Sequence, residues 1–446
     1  MTELVDKILM KEIKADSPGA AVAIVKDRSI IYKNGYGLAC MDYDIPITPS
    51  TIFHVASVSK QFTAFSVAMI ADQGKISLDD DIRKYLHEVP DFGKTITIRH
   101  LIHHTSGLRD QWELLMLAGW LIDDVITQEH ILKLVSNQRE LNFTPGDKYL
   151  YCNTGYTLLT EIVSRVSGKS FVDYTSENIF KPLCMNNTHF HDDYEMIVKN
   201  MAYSYYYDNN GILKKSILTF ANVGATSLFT TVEDLAKWMD NYDKKSVGGE
   251  SVINQMMQKG KLNNGEEINY AFALKIAEYR GLKTFGHDGM DAGYRTCFVC
   301  FPEQKFGIII LCNLGSLNPY NLAMQIADIY LADQLTPIEI KNNTEAQKTE
   351  EVKSDEPIID FNEYLGDYYS DELGTVYTMI FKDNHLTIRH RRLSDKKLDY
   401  VEKDVFKGNS ITKLAFTRDD KQKINGFKLN GSGRVFGLQF QKIGNV

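Results

Sequence analysis

The sequence predicts an α+β fold: an α/β/α sandwich built on a five-stranded antiparallel sheet flanked by helices, with an all-helical insert, and then a small C-terminal antiparallel β-barrel. Three observations lead there. Two strand-like runs, 20–25 and 29–36, stand near the start, and three more, 283–287, 295–301 and 306–312, come only after a long gap. Residues 78–260 within that gap carry mainly helical patterning with loop punctuation, so one sheet draws strands from both ends of the chain and helices cover its two faces. Beyond residue 360 the pattern turns into short β-rich runs.

The elements follow in order. Residues 3–13 are amphipathic and predict a helix, and Asp27-Arg28 separates the first two strand runs as a hairpin turn. After Ser57, the residues Phe62, Phe65, Met69 and Ile70 share one helix face, with Gly74 at the stop. A helix over 317–335 closes the region. Residues 339–357 hold Asn342-Asn343-Thr344, Glu350-Glu351 and Ser354-Asp355-Glu356 without one aromatic side chain, which reads as a solvated linker. The expected division is therefore 1–335, a linker at 336–359, and a tail domain at 360–446. In the tail, β-rich runs at 376–381, 385–390, 413–417, 424–429 and 435–440 are punctuated by Asp383-Asn384 and Gly431-Ser432-Gly433, giving a barrel or sandwich.

Composition excludes several classes of function. At 446 residues the chain has room for two or three domains, and 43% hydrophobic with 24% charged residues is ordinary globular usage, not disorder. A net charge of −8 argues against nucleic acid as a partner. Apolar runs such as Phe306–Cys312 fall far short of the ~20 residues of a membrane helix, so no membrane partner is expected. The first residues show no basic stretch followed by an apolar one, which points to the cytoplasm, although a mature form behind a new Met would look the same. Six cysteines are too sparse for a disulfide scaffold and fit a reducing compartment. Cys297 and Cys300 lie in a strand at odd separation, so they face opposite ways and cannot share a metal. His103-His104 and His189-Phe190-His191 are likewise read as structural, leaving no metal and no cofactor. Arg389-His390-Arg391-Arg392 reads as an exposed barrel strand, and the aromatic cluster 203–207 as core or cleft wall.

Three short patterns carry chemistry. Ser57-Val58-Ser59-Lys60 is an S-x-x-K, whose spacing sets the Lys60 amine and the Ser57 hydroxyl on one face of a helix. At a helix start the serine also sits where developing negative charge is favoured, so Ser57 reads as a nucleophile and Lys60 as part of its base. Two further S-x-x-K matches, Ser394/Lys397 and Ser410/Lys413, lie in the β-rich tail and lack that context. Tyr151-Cys152-Asn153 follows a turn at Pro145-Gly146 and leads into a helix, as a loop presenting side chains to a cleft does. A phenol near an ammonium would have a lowered pKa and serve as a proton shuttle. His287-Asp288-Gly289 is the only H-x-G in the chain, with Gly289 allowing a substrate backbone close to an edge strand. There is no G-x-S-x-G, H-E-x-x-H, G-x-x-x-x-G-K-[ST] or G-x-G-x-x-G.

In order and context these patterns resemble the serine β-lactamase and penicillin-binding family, in its class C-like branch, which also holds DD-carboxypeptidases, D-aminopeptidases and esterases. Leu101-Ile102-His103-His104-Thr105-Ser106-Gly107-Leu108 is similar to the family's L-x-x-H-T-S-G-L segment, and Thr230-Thr231-Val232-Glu233-Asp234-Leu235-Ala236-Lys237-Trp238 to its S-T-x-x-D-L-x-x-W helix. The likeness covers about residues 5–335, and the tail resembles lipocalin-like barrels appended to some peptidases of the family. It implies that Ser57 is acylated, with Lys60 and Tyr151 handling its proton. Asn153 would bond Lys60 or the substrate amide, and His287 would contact a substrate carboxylate or relay protons. The N–H groups of Ser57 and Met290 would form an oxyanion hole.

The chain also departs from the family. No K-[ST]-G occurs, which argues against a dedicated class C β-lactamase, and Asp288 puts an acid beside the site that could repel a carboxylate or attract an amino group. Gly224-Ala225-Thr226-Ser227 lacks an expected double glycine and would narrow the cleft. The expected activity is acyl-enzyme hydrolysis of amides or esters of small, D-configured peptides or amino acids. A promiscuous carboxylesterase or weak β-lactamase, and a non-catalytic penicillin-binding sensor, are the alternatives. The expected partner is a small-molecule or peptide substrate, and the tail would cover the cleft or mediate homo-oligomer formation.

Overall fold

The computed structural model describes residues 1–337 and 360–444; all but the first two residues of the expected linker lie outside this range. Helix α1 (Thr2–Glu12) leads into strands β1 (Ala20–Lys26) and β2 (Ser29–Tyr36). The late strands are β3 (Lys275–Tyr279), β4 (Leu282–Asp291), β5 (Tyr294–Phe301) and β6 (Phe306–Cys312). They join in the antiparallel order β3-β4-β5-β6-β1-β2, the two chain ends meeting where Ala20–Lys26 pairs with Phe306–Cys312. The sheet thus has six strands and not five. Sequence patterning missed β3, Lys-Ile-Ala-Glu-Tyr, because this edge strand is solvent-facing at most positions.

Both faces of the sheet are covered, which is why β6 reads as a continuous apolar run with every residue buried. One face packs under α1 and the closing helix α5 (Pro319–Tyr330), with Val5, Leu9, Val22, Ile308, Ile310 and Ala323 in one cluster. The other meets α2 (Ser59–Asp72) and α4 (Val232–Lys244), and α3 (Asn153–Ser167) packs on α2 in the same larger core. Cys297 belongs to the first cluster and Cys300 to the second, as their odd spacing requires. The region expected to be all-helical also carries short strands, among them Ser204–Tyr207 paired with Leu213–Ser216. Segments of two to four residues have too little length to show a period. At that hairpin Tyr205 is buried, whereas Tyr203, Tyr206 and Tyr207 are exposed, so most of the aromatic cluster lies outside the core.

The tail is a closed barrel of eight antiparallel strands from Gly366–Ser370 to Leu438–Ile443. Its interior is filled by aromatic side chains such as Tyr368, Phe416, Phe427 and Phe440, the last two stacked with centroids 4.6 Å apart. The last strand begins at Leu438, not at 435, so residues 431–437 form a loop instead. That loop docks on the first domain. Arg109, 2% exposed, forms a buried ion pair with Glu372 and donates through Nε and Nη2 to the Phe436 carbonyl at 3.1 and 2.9 Å. Tyr377 donates to the Leu117 carbonyl at 2.7 Å, and Arg392 pairs with Asp124 at 2.7 Å. Of the basic run, Arg389 ends its strand exposed, while His390 is buried against Gly119.

Candidate active site

Ser57 lies in a short 3-10 turn, Ala56–Val58, that runs straight into α2. Ala56 holds a left-handed φ of 47°, an uncommon conformation for a residue with a side chain, fixed from two sides. Its N–H donates to His54 Nδ1 at 3.2 Å. On the other side a Cβ on Gly289 would stand 2.3 Å from the Val55 carbonyl oxygen and 3.2 Å from the Ala56 Cβ. Gly289 is therefore a glycine because the turn bearing Ser57 packs against it, a tighter constraint than the expected approach of a substrate. Only Leu282–Gly286 of β4 pairs with β3, so His287–Asp291 is open on that side and lines the cleft.

Lys60 is fully buried one helical turn beyond Ser57. Its Nζ reaches three acceptors: Ser57 Oγ at 3.0 Å, Asn153 Oδ1 at 2.8 Å and the Ala225 carbonyl at 2.6 Å. Burial depresses its pKa to about 7, against the opposing pull of Asp291 and Asp110. As a neutral amine it keeps two N–H donors for Asn153 and Ala225 and turns its lone pair to the Ser57 hydroxyl, the geometry a general base needs. The segment expected to narrow the cleft thus supplies a lysine acceptor at Ala225.

Asn153 opens α3, and its amide orientation is set by Asp110. Asn153 N and Nδ2 both donate to Asp110 Oδ2, at 2.7 and 2.8 Å, which leaves Oδ1 to face Lys60. The Tyr151 ring packs against His104, tilted by 37° with centroids 4.2 Å apart, while Cys152 N donates to His104 Nδ1 at 3.0 Å. The second histidine of the 101–108 segment therefore anchors the loop that carries Tyr151. Lys60 Nζ stands 5.1 Å from the Tyr151 ring centroid. The phenol does not have the lowered pKa expected from a neighbouring ammonium: burial drives it far up, outweighing the pull of Ser57. The same burial brings the Lys60 pKa down to about 7, so near neutral pH only part of the ammonium that would stabilise a phenolate remains. The Tyr151 hydroxyl stays protonated and is buried with no hydrogen-bond partner among the described residues.

His287 is buried and neutral, its pKa lowered to about 3 by desolvation and by Lys60. Nδ1 lies 2.6 Å from the Asp288 carbonyl and Nε2 3.1 Å from the Tyr270 hydroxyl. Nδ1–H donates to the carbonyl and Nε2 accepts from the tyrosine. The expected contact with a substrate carboxylate would have no positive charge behind it. Asp288 does not stand as a lone acid either, because its carboxylate pairs with Lys275 at 2.7 Å, both groups about half exposed. Asp291 is the more enclosed acid, bonded by Thr226 and raised to about pKa 6 by desolvation.

Ser57, Tyr151, Asn153, His287 and the 288–291 edge line one cleft of about 860 Å³, a volume suited to a small ligand. The side chain of Met290 is exposed there. Sequence reading missed Asp110, Tyr270, Lys275, Asp291 and Arg434. Asp110 stands two residues after a segment already singled out, so its place beside the motif was a usable signal. Arg434, from the barrel loop, offered none. Among the described residues no cluster of three or more His, Cys, Asp or Glu is placed to hold a metal, and no helix is long and apolar enough to cross a membrane.

Comparison with known proteins agrees with this architecture. A D-aminopeptidase of Gluconobacter oxydans is 26% identical over 66% of this chain and 56% of its own length. A penicillin-binding protein of Bacillus subtilis is 28% identical over 66% of this chain and 68% of its own. The chain thus spans little more than half the length of the curated D-aminopeptidases it matches. The structure of an octameric penicillin-binding protein homologue from Pyrococcus abyssi superposes with a TM-score of 0.66 at 23% identity, covering 99% of this chain and 98% of that one, barrel included. The beta-lactamase family profile matches residues 5–332. This chain belongs to the beta-lactamase family.

Proposed function

We propose that the protein is a serine hydrolase that forms an acyl-enzyme on Ser57 and cleaves amide or ester bonds of small substrates, peptides and amides of D-amino acids foremost. The observation that carries this reading is Lys60, a buried amine with a pKa of about 7 and its third acceptor position on Ser57 Oγ. Neutral Lys60 takes the Ser57 proton as Oγ attacks the carbonyl carbon. The N–H groups of Ser57 and Met290 hold the oxyanion, a contribution worth about 10²–10³ in rate. Tyr151 gives its proton to the departing amine or alcohol and recovers one from Lys60. Water then attacks the acyl carbon by the reverse proton path and frees Ser57. Asn153 holds Lys60 in place, and His287, with Tyr270, holds the edge of β4. The D-aminopeptidases among the relatives support the choice of substrate, and the acid at 291 on the cleft edge suits a free amino group.

The test compares D-alanyl and L-alanyl nitroanilides with a nitrophenyl butyrate ester, using Ser57→Ala as the blank. Preference for the D-amide is the expected result. Ester cleavage alone would make the protein an esterase, and activity surviving in Ser57→Ala would overturn the mechanism.

A further inference from the structure

We propose that Arg434, carried by the C-terminal barrel, reads a carboxylate on the leaving portion of the substrate, so that the specificity site is complete only across the domain interface. The placement on the leaving side rests on the role given above to Tyr151.

The loop that bears Arg434 is held by its backbone. Arg434 N donates to Glu113 Oε2 at 2.7 Å, and its carbonyl accepts from Asn142 Nδ2 at 2.9 Å and from Asp110 N at 3.3 Å. Phe436 N donates to Asn142 Oδ1 at 2.9 Å, and its carbonyl accepts from Arg109. A side chain at Gly431 would push Glu113 off the loop, since a Cβ there would stand 1.9 Å from Glu113 Oε1. The guanidinium is the exception. Among the described residues it has neither an ion pair nor a hydrogen bond, and it stands in the cleft with Cζ 5.3 Å from the Tyr151 ring centroid. Glu113 is within reach of the loop, yet it is spent on the loop's backbone N–H groups.

The other basic groups at the cleft are paired, partly bonded or neutral. Lys275 pairs with Asp288, Lys60 has three acceptors below the floor, His287 is uncharged, and Arg295 is half-buried with Nη1 donating to the carbonyls of Ala292 and Tyr294. Arg434 is therefore the exposed cation at the cleft whose guanidinium makes no hydrogen bond or ion pair among the described residues, its contact there being the face of the Tyr151 ring. A guanidinium is a planar fork that matches a carboxylate in two parallel bonds. Standing over the ring of the residue that protonates the leaving group, it faces the part of the substrate that departs. The ligand class is a short peptide whose departing residue ends in a free carboxylate.

The test is calorimetric, on the inactive Ser57→Ala protein, titrated with D-alanyl-D-alanine and with D-alanyl-D-alaninamide. The free acid is expected to bind about tenfold to hundredfold more tightly than the amide, the range of a charge-assisted hydrogen bond. Adding Arg434→Gln is expected to bring that ratio near unity, and Arg434→Lys to restore part of it. Because the side chain is exposed and the loop is fixed by its backbone, the variants are expected to melt as the parent does. Equal binding of acid and amide by the parent, no binding of the acid, or a ratio that survives Arg434→Gln would overturn the inference. Binding is read here without turnover, so a failure of Ser57-dependent hydrolysis would overturn the hydrolase reading and the assignment to the leaving side, while an Arg434-dependent preference for the free acid would still be measured.

Discussion

The two walls of the cleft are built on opposite principles. On the side of the first domain, Lys60, Asn153 and Asp110 are buried and bonded to one another, each donor matched to an acceptor. On the side of the barrel, the bonds are all in the backbone of residues 431–437, and the side chain they present, Arg434, is exposed and has no ion pair among the described residues. A buried, closed network fixes protonation states, which chemistry requires. An open charge on a fixed loop waits for a partner, which recognition requires. The barrel is thus placed to choose substrates for a reaction that the first domain performs.

Experiments can separate these two walls. Ser57→Ala has the largest expected effect, a loss of about 10⁴-fold or more in kcat for a nucleophile that acts as one unit with its base, read on any substrate the wild type turns over. Glu372→Ala comes next. Removing one partner of the buried Arg109–Glu372 pair leaves an uncompensated charge and costs about 3–5 kcal/mol. We expect it to loosen the barrel, measured as early proteolytic release of the tail, while Ser57 remains reactive towards a nitrophenyl ester. If the barrel stayed docked and equally protected, the interface would not depend on this pair.

Asp110→Asn is smaller. Two buried N–H groups of Asn153 would share a weaker acceptor, with a cost of about 1–3 kcal/mol, seen as a fall in kcat in a protein that still folds. It also has a signature in pH. Lys60 must be neutral to act, so the rate of acylation should rise through about pH 7 and then level. Asp110 raises the Lys60 pKa and Arg434 lowers it. Removing the acid should therefore move the limb to lower pH, and Arg434→Gln should move it to higher pH by a fraction of a unit. Opposite displacements in the two pH–rate profiles would sharpen the contrast between the walls, and displacements in one direction would break it.

The first wall was far more legible than the second. S-x-x-K puts Ser57 and Lys60 together because helix geometry does so whatever surrounds it, and Tyr151-Cys152-Asn153 was recognisable from the turn and helix around it. What the motif could not show was how deeply Lys60 is buried, and so the phenol was expected to titrate low when desolvation in fact drives it high. Gly289 was legible as a close approach, but its neighbour is the Ser57 turn. The edge strand Lys275–Tyr279 escaped because its residues face water with no alternation to read. Arg434 escaped for a different reason. Its role comes from Glu113 and Asn142, more than 290 residues away in the chain, holding its backbone at the cleft. Nothing local in Gly433-Arg434-Val435 marks such a contact.

Covalent chemistry at Ser57 is the step on which every other role at the cleft depends. The decisive measurement is the mass of the intact protein and of its Ser57 peptide after brief exposure to a nitrophenyl ester across a range of pH. A single acyl group on that peptide, absent in Ser57→Ala and forming faster as pH rises through about 7, is the predicted result. Hydrolysis that proceeds with no adduct on Ser57, or with the acyl group on another residue, would contradict it.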